Sequence, residues 1–200
     1  MAEPTVVDLI RHGQPVGGER YRGHTDDPLT EEGWAQMWRA VGEHPPWQRL
    51  VTSPLRRCRD FAHALAERLE LDLEEDARFK EVHFGAWQGR LRKEVKTSEP
   101  EAWDAFYHDP VRNRPAGAEA LEEFITRVHE GYRALLERHR GRHVLVVCHA
   151  GVIRTVVAQA LGVPPEHLYR IVVATAGLTR VWVRDDGLPA LIFHNRRCGD

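Results

Sequence analysis

The apolar run Val6-Val7-Asp8-Leu9-Ile10 is followed at once by Arg11-His12-Gly13. A run of this kind reads as a buried strand, and in open α/β sheets the C-terminal edge of such a strand is where ligands bind. The arginine offers a fork of donors suited to phosphate. The histidine offers a nitrogen nucleophile, and the glycine lets the backbone turn closely past a ligand. The same pattern returns late in the chain. Val144-Leu145-Val146-Val147-Cys148 ends in His149, and Gly151 opens the helix that follows. Two strand-end histidines in one α/β chain point to a shared site rather than to coincidence.

The rest of the chain fits that frame. A strand over residues 5–10 leads through a loop rich in glycine and polar residues to a helix that starts at Thr30-Glu31-Glu32, with Leu29 as apolar lead-in, and ends near Gly42. Residues 49–52 read as a second strand. Ser53-Pro54 is expected to cap the next helix, with proline at its first position and Leu55, Phe61, Leu65 and Leu69 near helical spacing. Residues 79–84 read as a third extended piece and 100–108 as a helix. A long amphipathic helix is expected over 118–139, with Leu121, Phe124, Ile125, Val128, Tyr132, Leu135 and Leu136 on one face. A strand over 143–148, a helix over 151–161 and a hairpin of strands over 179–183 and 189–194 around Asp185-Asp186-Gly187 close the chain. Helices alternating with short apolar strands predict a three-layer α/β/α sandwich with a mainly parallel sheet and an antiparallel edge strand. No linker or repeat divides residues 1–200, so one domain is expected. Trp34, Trp38 and Trp47 fit either core or a partner surface, with core the default.

Composition narrows the function. The 200 residues carry a net charge of −2, which argues against nucleic acid as a general partner. An anion site must then be a local cluster of Arg and His. The longest apolar run is far too short to span a membrane, and the first four residues lack the features of a secretion signal. Cys58, Cys148 and Cys198 show neither disulfide nor zinc spacing, so a reducing cytoplasm is the expected location. No metal site and no cofactor are expected, and the oligomeric state is left open.

Two further segments carry chemistry. Val51-Thr52-Ser53-Pro54-Leu55-Arg56-Arg57 repeats the logic of a strand, a turn and a helix start with arginines in its first turns. A helix N-terminus attracts anions and an arginine there strengthens the attraction; taken alone, these arginines also read as solvated helix residues. Glu81 sits among Phe79, Phe84, Gly85, Trp87 and Gly89, a setting that suits a carboxyl to donating a proton, although a surface glutamate is the bland alternative.

Together these motifs resemble the histidine phosphatase superfamily, the phosphoglycerate-mutase-like group. The matches are Arg11-His12-Gly13, then Ser53, Pro54, Leu55 and Arg57, then Glu81, Gly85, Trp87 and Gly89, then His149, Gly151, Val152, Ile153 and Arg154, in family order. Gly23, Asp26, Pro28, Leu29, Thr30 and Gly33 match the approach to the first helix. Pro115, Gly117 and Glu119 resemble a further turn, with one residue inserted before the acid. The resemblance implies that His12 is the nucleophile and becomes a phosphohistidine. It implies that Arg11 and Arg57 clamp the phosphoryl oxygens, that His149 donates to the same oxygens, and that Glu81 is the general acid and then the base. The chain departs from the family pattern in two places. The asparagine usual after Arg-His-Gly is absent, and Arg22 stands where Ser or Thr commonly precedes Gly23. Gln14, Arg22, Gly23 and His24 are therefore candidates for substrate binding, and Arg22 fits either a second anionic group or solvent.

The short chain favours hydrolysis over mutase chemistry. Residues 21–30 and the segment from His149 look similar to α-ribazole-5'-phosphate phosphatases of cobalamin assembly. The implied activity is a metal-independent phosphomonoesterase acting on a small phosphorylated metabolite. Alternatives are a phosphoglycerate-mutase-type isomerase and a non-catalytic phospho-ligand or protein-binding module on the same fold. A lid-like helical insertion is expected at about residues 90–117. Its Trp103, Phe106 and Tyr107 would either stack on a flat base or pack as core.

Overall fold

A computed structural model describes residues 3–184 and 186–197. Cys198 and Asp185, named above, lie outside the described residues. Six strands form one sheet in the order β3-β2-β4-β1-β5-β6. They are β1 (Thr5–Arg11), β2 (Arg49–Thr52), β3 (Leu73–Glu75), β4 (His143–Cys148), β5 (Leu178–Val183) and β6 (Pro189–Arg196). The first four in that order are mutually parallel. β5 runs antiparallel to β1 and β6 antiparallel to β5, so the antiparallel region is two strands wide.

Alternation along the buried strands builds two cores, because successive side chains point to opposite faces. Val7, Leu9, Val144 and Val146 face one way, toward α5 (Leu121–Arg138) and α6 (Ala150–Leu161). Ile10, Leu50, Leu145 and Val147 face the other way, toward α1 (Glu31–Val41) and α2 (Arg56–Leu69). The result is the expected three-layer sandwich. Trp47 is buried and donates to Asp8, while Trp34 and Trp38 pack on Phe61, so all three tryptophans belong to the core or its margin.

Asp8 puts a carboxylate inside this core with no exposure. Burial works to raise its pKa. Hydrogen bonds from Arg180, His143 and Trp47 outweigh that and hold it below the usual carboxylate value. A buried charge is tolerated only when its partners are all in place.

Local chemistry explains the boundaries. Thr30 caps α1, its hydroxyl accepting from the Gly33 amide at 2.9 Å. Gly162 ends α6 in the left-handed region. Ser53-Pro54 does not cap α2 as expected. The helix starts two residues later, behind Leu55, because Ser53 is drawn into contact with His149. Residues 79–84 are not a strand. They leave a short 3₁₀ turn at Ala77–Phe79 and cross the sheet's C-terminal edge, and the third parallel strand is Leu73–Glu75 instead. The apolar residues there, Phe79, Val82 and Phe84, are buried by α5 and by the 90–117 segment rather than by sheet neighbours. Two helices, α3 (Arg92–Ser98) and α4 (Pro100–His108), occupy that segment. α3 was not apparent in the sequence, since only Val95 in it is buried.

Candidate functional site

β1 and β4 lie side by side with Ile10 opposite Val147 and Arg11 opposite Cys148. That register delivers His12 and His149 together at the C-terminal edge, with ring centroids 5.3 Å apart. β2 ends beside them, where the Ser53 amide donates to the Val147 carbonyl. Topology thus gathers residues more than 130 positions apart.

The two rings are held differently. Nδ1 of His12 lies 2.8 Å from the Gly13 carbonyl oxygen. A carbonyl can only accept, so Nδ1 carries the proton and the Nε2 lone pair is free. Burial, with Arg57 and Arg11 adding to it, pushes the His12 pKa well below the ordinary imidazole value. The ring is neutral at physiological pH, which is the state a nitrogen nucleophile requires. Nδ1 of His149 accepts from Arg57 Nε at 3.3 Å, and Nε2 of His149 donates to Ser53 Oγ at 2.8 Å. Both nitrogens are engaged within the protein. These contacts fix the orientation of the ring beside His12. Cys58 Sγ lies within 3.7 Å of both nitrogens, and burial pushes its thiol pKa above the ordinary range.

Arg57 is 1% exposed and ties the loop before α1 to α2. Its two terminal nitrogens donate to the Thr25 and Gly23 carbonyls, each at 2.7 Å. Gly23 has a φ of +51°, and a Cβ there would lie 2.1 Å from Gln88 Oε1, so the loop can pass this closely only with glycine. Arg11 donates to the Val173 carbonyl at 2.7 Å, and its Nε is buried without a partner. Burial, and then Arg154, pushes its pKa down to about 10.

Glu81 reaches the same place from the 79–84 segment. Its carboxylate accepts from the Val82 amide at 3.0 Å and from the Gly151 amide, at the start of α6, at 3.2 Å. A Cβ at position 151 would lie 2.2 Å from Glu81 Oε1, which accounts for glycine there. Arg127 steadies the Glu81 backbone through its carbonyl at 3.0 Å, and Glu119 holds Arg127 at 2.6 Å. This is the work of the acid displaced by one residue in the Pro115-Gly117-Glu119 turn.

Among the other candidates, His24 donates from Nε2 to the Glu81 carbonyl at 2.9 Å and so steadies the Glu81 backbone. Arg22 is neither solvated nor free. It pairs with Asp27 at 3.1 Å and donates to the Val16 and Gly18 carbonyls, at 2.7 and 2.6 Å, closing the loop. Gln14 does not reach the His12 cleft; it lines an adjoining cavity. Arg20, Arg92, Arg154, Tyr107 and Tyr169 line the cleft around His12, and of these Tyr107 is one of the aromatics expected in the lid. Arg154 lay inside a quoted motif; Arg20, Arg92 and Tyr169 carried no local signal. Of the aromatics in α4, Phe106 is core against Phe84, Trp87 and Tyr169, and only Tyr107 lines the cleft. Among the described residues, no group of three or more His, Cys, Asp and Glu is placed to hold a metal ion.

A family model described as histidine phosphatase superfamily (branch 1) matches residues 7–196. A bifunctional protein of Mycobacterium tuberculosis is 32% identical over 198 residues, which cover 96% of this chain and 54% of that protein. This chain thus spans about half the length of that relative. The adenosylcobalamin/alpha-ribazole phosphatase of Salmonella typhimurium is 27% identical over 165 residues, 80% of this chain and 82% of that one. Among solved structures, a mycobacterial glucosyl-3-phosphoglycerate phosphatase superposes with a TM-score of 0.84 at 26% identity, covering 96% of this chain and 99% of that one.

Proposed function

The chain belongs to the histidine phosphatase superfamily, and from that premise we propose that it hydrolyses phosphomonoesters through a phosphohistidine on His12. The observation that carries this is the His12 ring, whose Nδ1 is tied to the Gly13 carbonyl so that a neutral Nε2 faces the cleft. Nε2 attacks phosphorus and the ester P–O bond breaks. The departing oxygen takes the proton of Glu81. Glu81, now a carboxylate, removes a proton from water, the water oxygen attacks phosphorus, and the N–P bond breaks to release phosphate. Arg11 and Arg57 stand beside the ring and stabilise charge on the equatorial oxygens. Positive charge for the transition state comes from these side chains, which supports a metal-independent reaction. Helices α3 and α4 act as the lid over the leaving group.

The substrate class is a small phosphorylated metabolite. α-Ribazole-5'-phosphate is the first specific candidate, supported by the resemblance of residues 21–30 and by the relative that bears that name. The test is phosphate release from p-nitrophenyl phosphate and from a metabolite panel including α-ribazole-5'-phosphate, with EDTA present, combined with acid-quench trapping of phosphohistidine. Release with EDTA, and trapped label that disappears in His12→Ala, are the expected results. Transfer between positions of one metabolite without release would assign a mutase instead. Binding without turnover of any compound would assign a binding module.

A further inference from the structure

A second cavity lies between the C-terminal halves of α5 and α6 and the β5–β6 hairpin, and it encloses about 300 Å³. Thr5 lines it, at the end of β1 away from Arg11. β1 is seven residues long, so about 20 Å of strand separates this cavity from the His12 edge. The cavity and the cleft around His12 share no lining residue.

The walls are apolar and the mouth is charged. Leu136, Val156, Ala160, Val181 and Val183 form the walls, while the exposed Arg133, Glu137, Arg140 and Arg184 stand at the mouth. Two further lining residues carry polar atoms that the protein leaves unanswered. The Tyr132 hydroxyl and His129 Nε2 are buried and have no hydrogen-bond partner among the described residues. Buried polar atoms are nearly always paired, so two orphans beside one cavity mark a place where a ligand supplies the partner.

The charges are incomplete in the same way. Arg184 pairs with Asp186 at 3.3 Å, but neither Arg133 nor Arg140 makes an ion pair or hydrogen bond among the described residues. Burial holds His129 below the ordinary imidazole value, so it adds no charge. The three lining arginines, less Glu137 and Asp186, leave one positive charge to be answered.

We propose that this cavity is a second ligand site, remote from the phosphoryl cleft, and that it takes a small monocarboxylate with an apolar, hydroxyl-bearing body. The body packs on Leu136 and the valines. The carboxylate meets the guanidinium groups of Arg133 and Arg140, whose forks suit it. A hydroxyl both donates and accepts, so it answers the Tyr132 hydroxyl or His129 Nε2 in either tautomer. A phosphate dianion fits less well, because it exceeds the single surplus charge and has nothing to lay against the apolar walls.

Nuclear magnetic resonance titration of the full chain with 4-hydroxyphenylacetate tests this. Saturable binding is expected, with a Kd of about 1 mM or tighter and shifts at His129, Tyr132 and Val156. Phenylacetate lacks the hydroxyl and should bind at least about threefold more weakly. 4-Methylphenol lacks the carboxylate and should bind at least about tenfold more weakly. Ala160→Phe fills the cavity and should abolish binding. Arg133→Gln combined with Arg140→Gln, both at exposed positions that leave folding intact, should weaken the two carboxylates about tenfold and spare 4-methylphenol. Absence of saturable binding overturns the proposal. So do equal affinities for the three compounds, binding unchanged in both variants, or shifts centred on Arg11 and His12.

Discussion

The ends of β1 and β4 carry the same short pattern, an apolar strand, a histidine and a nearby glycine, yet they hold their imidazoles in opposite states. His12 gives one nitrogen to the Gly13 carbonyl and keeps the other for chemistry. His149 gives one to Arg57 and the other to Ser53. The difference lies in what reaches each ring. At β1 the chain's own next residue supplies the partner. At β4 the partners come from β2 and α2, brought by the Thr52–Val147 pairing and the turn that follows. One ring keeps a nitrogen free of protein partners and the other keeps none.

The largest test of this contrast replaces each ring. His12→Ala should lower kcat by at least about 10⁴-fold and abolish the trapped phosphoenzyme, because His12 is the one imidazole lining the cleft among the described residues. His149→Ala should cost about 10²–10³-fold and still form phosphoenzyme. Equal losses in the two variants would break the comparison. Next comes Gly151→Ala, which drives a methyl group to 2.2 Å from Glu81 Oε1. Displacing Glu81 by about 1 Å should cost about 10²-fold for esters with poor leaving groups and less for p-nitrophenyl phosphate, which needs Glu81 only for the hydrolytic step. A loss independent of the leaving group would place Glu81 outside the protonation of the departing oxygen.

Ser53→Ala should be smaller, a few-fold in kcat, because it removes the acceptor of the His149 Nε2 proton while Arg57 still holds Nδ1. A shift in the acid limb of its pH–rate profile, with KM unchanged, would mark Ser53 as a positioning residue; an unchanged profile would reduce it to packing. The smallest effect is on acid stability. Burial and then Arg57 hold both histidines neutral well below the ordinary value of 6.5, whereas in the unfolded chain the same rings protonate as pH falls through it. The unfolded state then binds more protons, so stability declines below about pH 6.5. His149→Gln removes one such group and should lose less stability between pH 7 and pH 5 than wild type, as measured by urea denaturation. A steeper loss would show that His149 is charged in the folded state.

Much of the fold was legible because burial imprints its period on local sequence. β1 and β4 are apolar runs and α5 is an amphipathic stripe, each recognisable without its neighbours. The failures share a cause. Residues 79–84 look like a strand since Phe79, Val82 and Phe84 are apolar, but their cover comes from helices distant in sequence. β3 is three residues long with a single apolar side chain, too little to register a pattern. At the site, His12, Arg57, Glu81 and His149 were readable because each follows a strand end or a glycine-rich turn. Arg20 and Arg92 were not, since an exposed arginine has the same local sequence whether it faces a cleft or bulk water.

The sequence by itself determined the strand-end chemistry and the three-layer architecture, because hydrophobic period and turn residues act over a few positions. The tautomer at His12 has a local partner, the carbonyl of the next residue, but its neutrality comes from burial and from Arg57. Only the tertiary structure decided that both His149 nitrogens meet Arg57 and Ser53, that Arg22 closes a loop, and that four arginines from three segments line one cavity. Those outcomes depend on which donors and charges meet across the sheet edge. Electrostatic interactions at a few ångströms are set by that meeting and by nothing in the local chain.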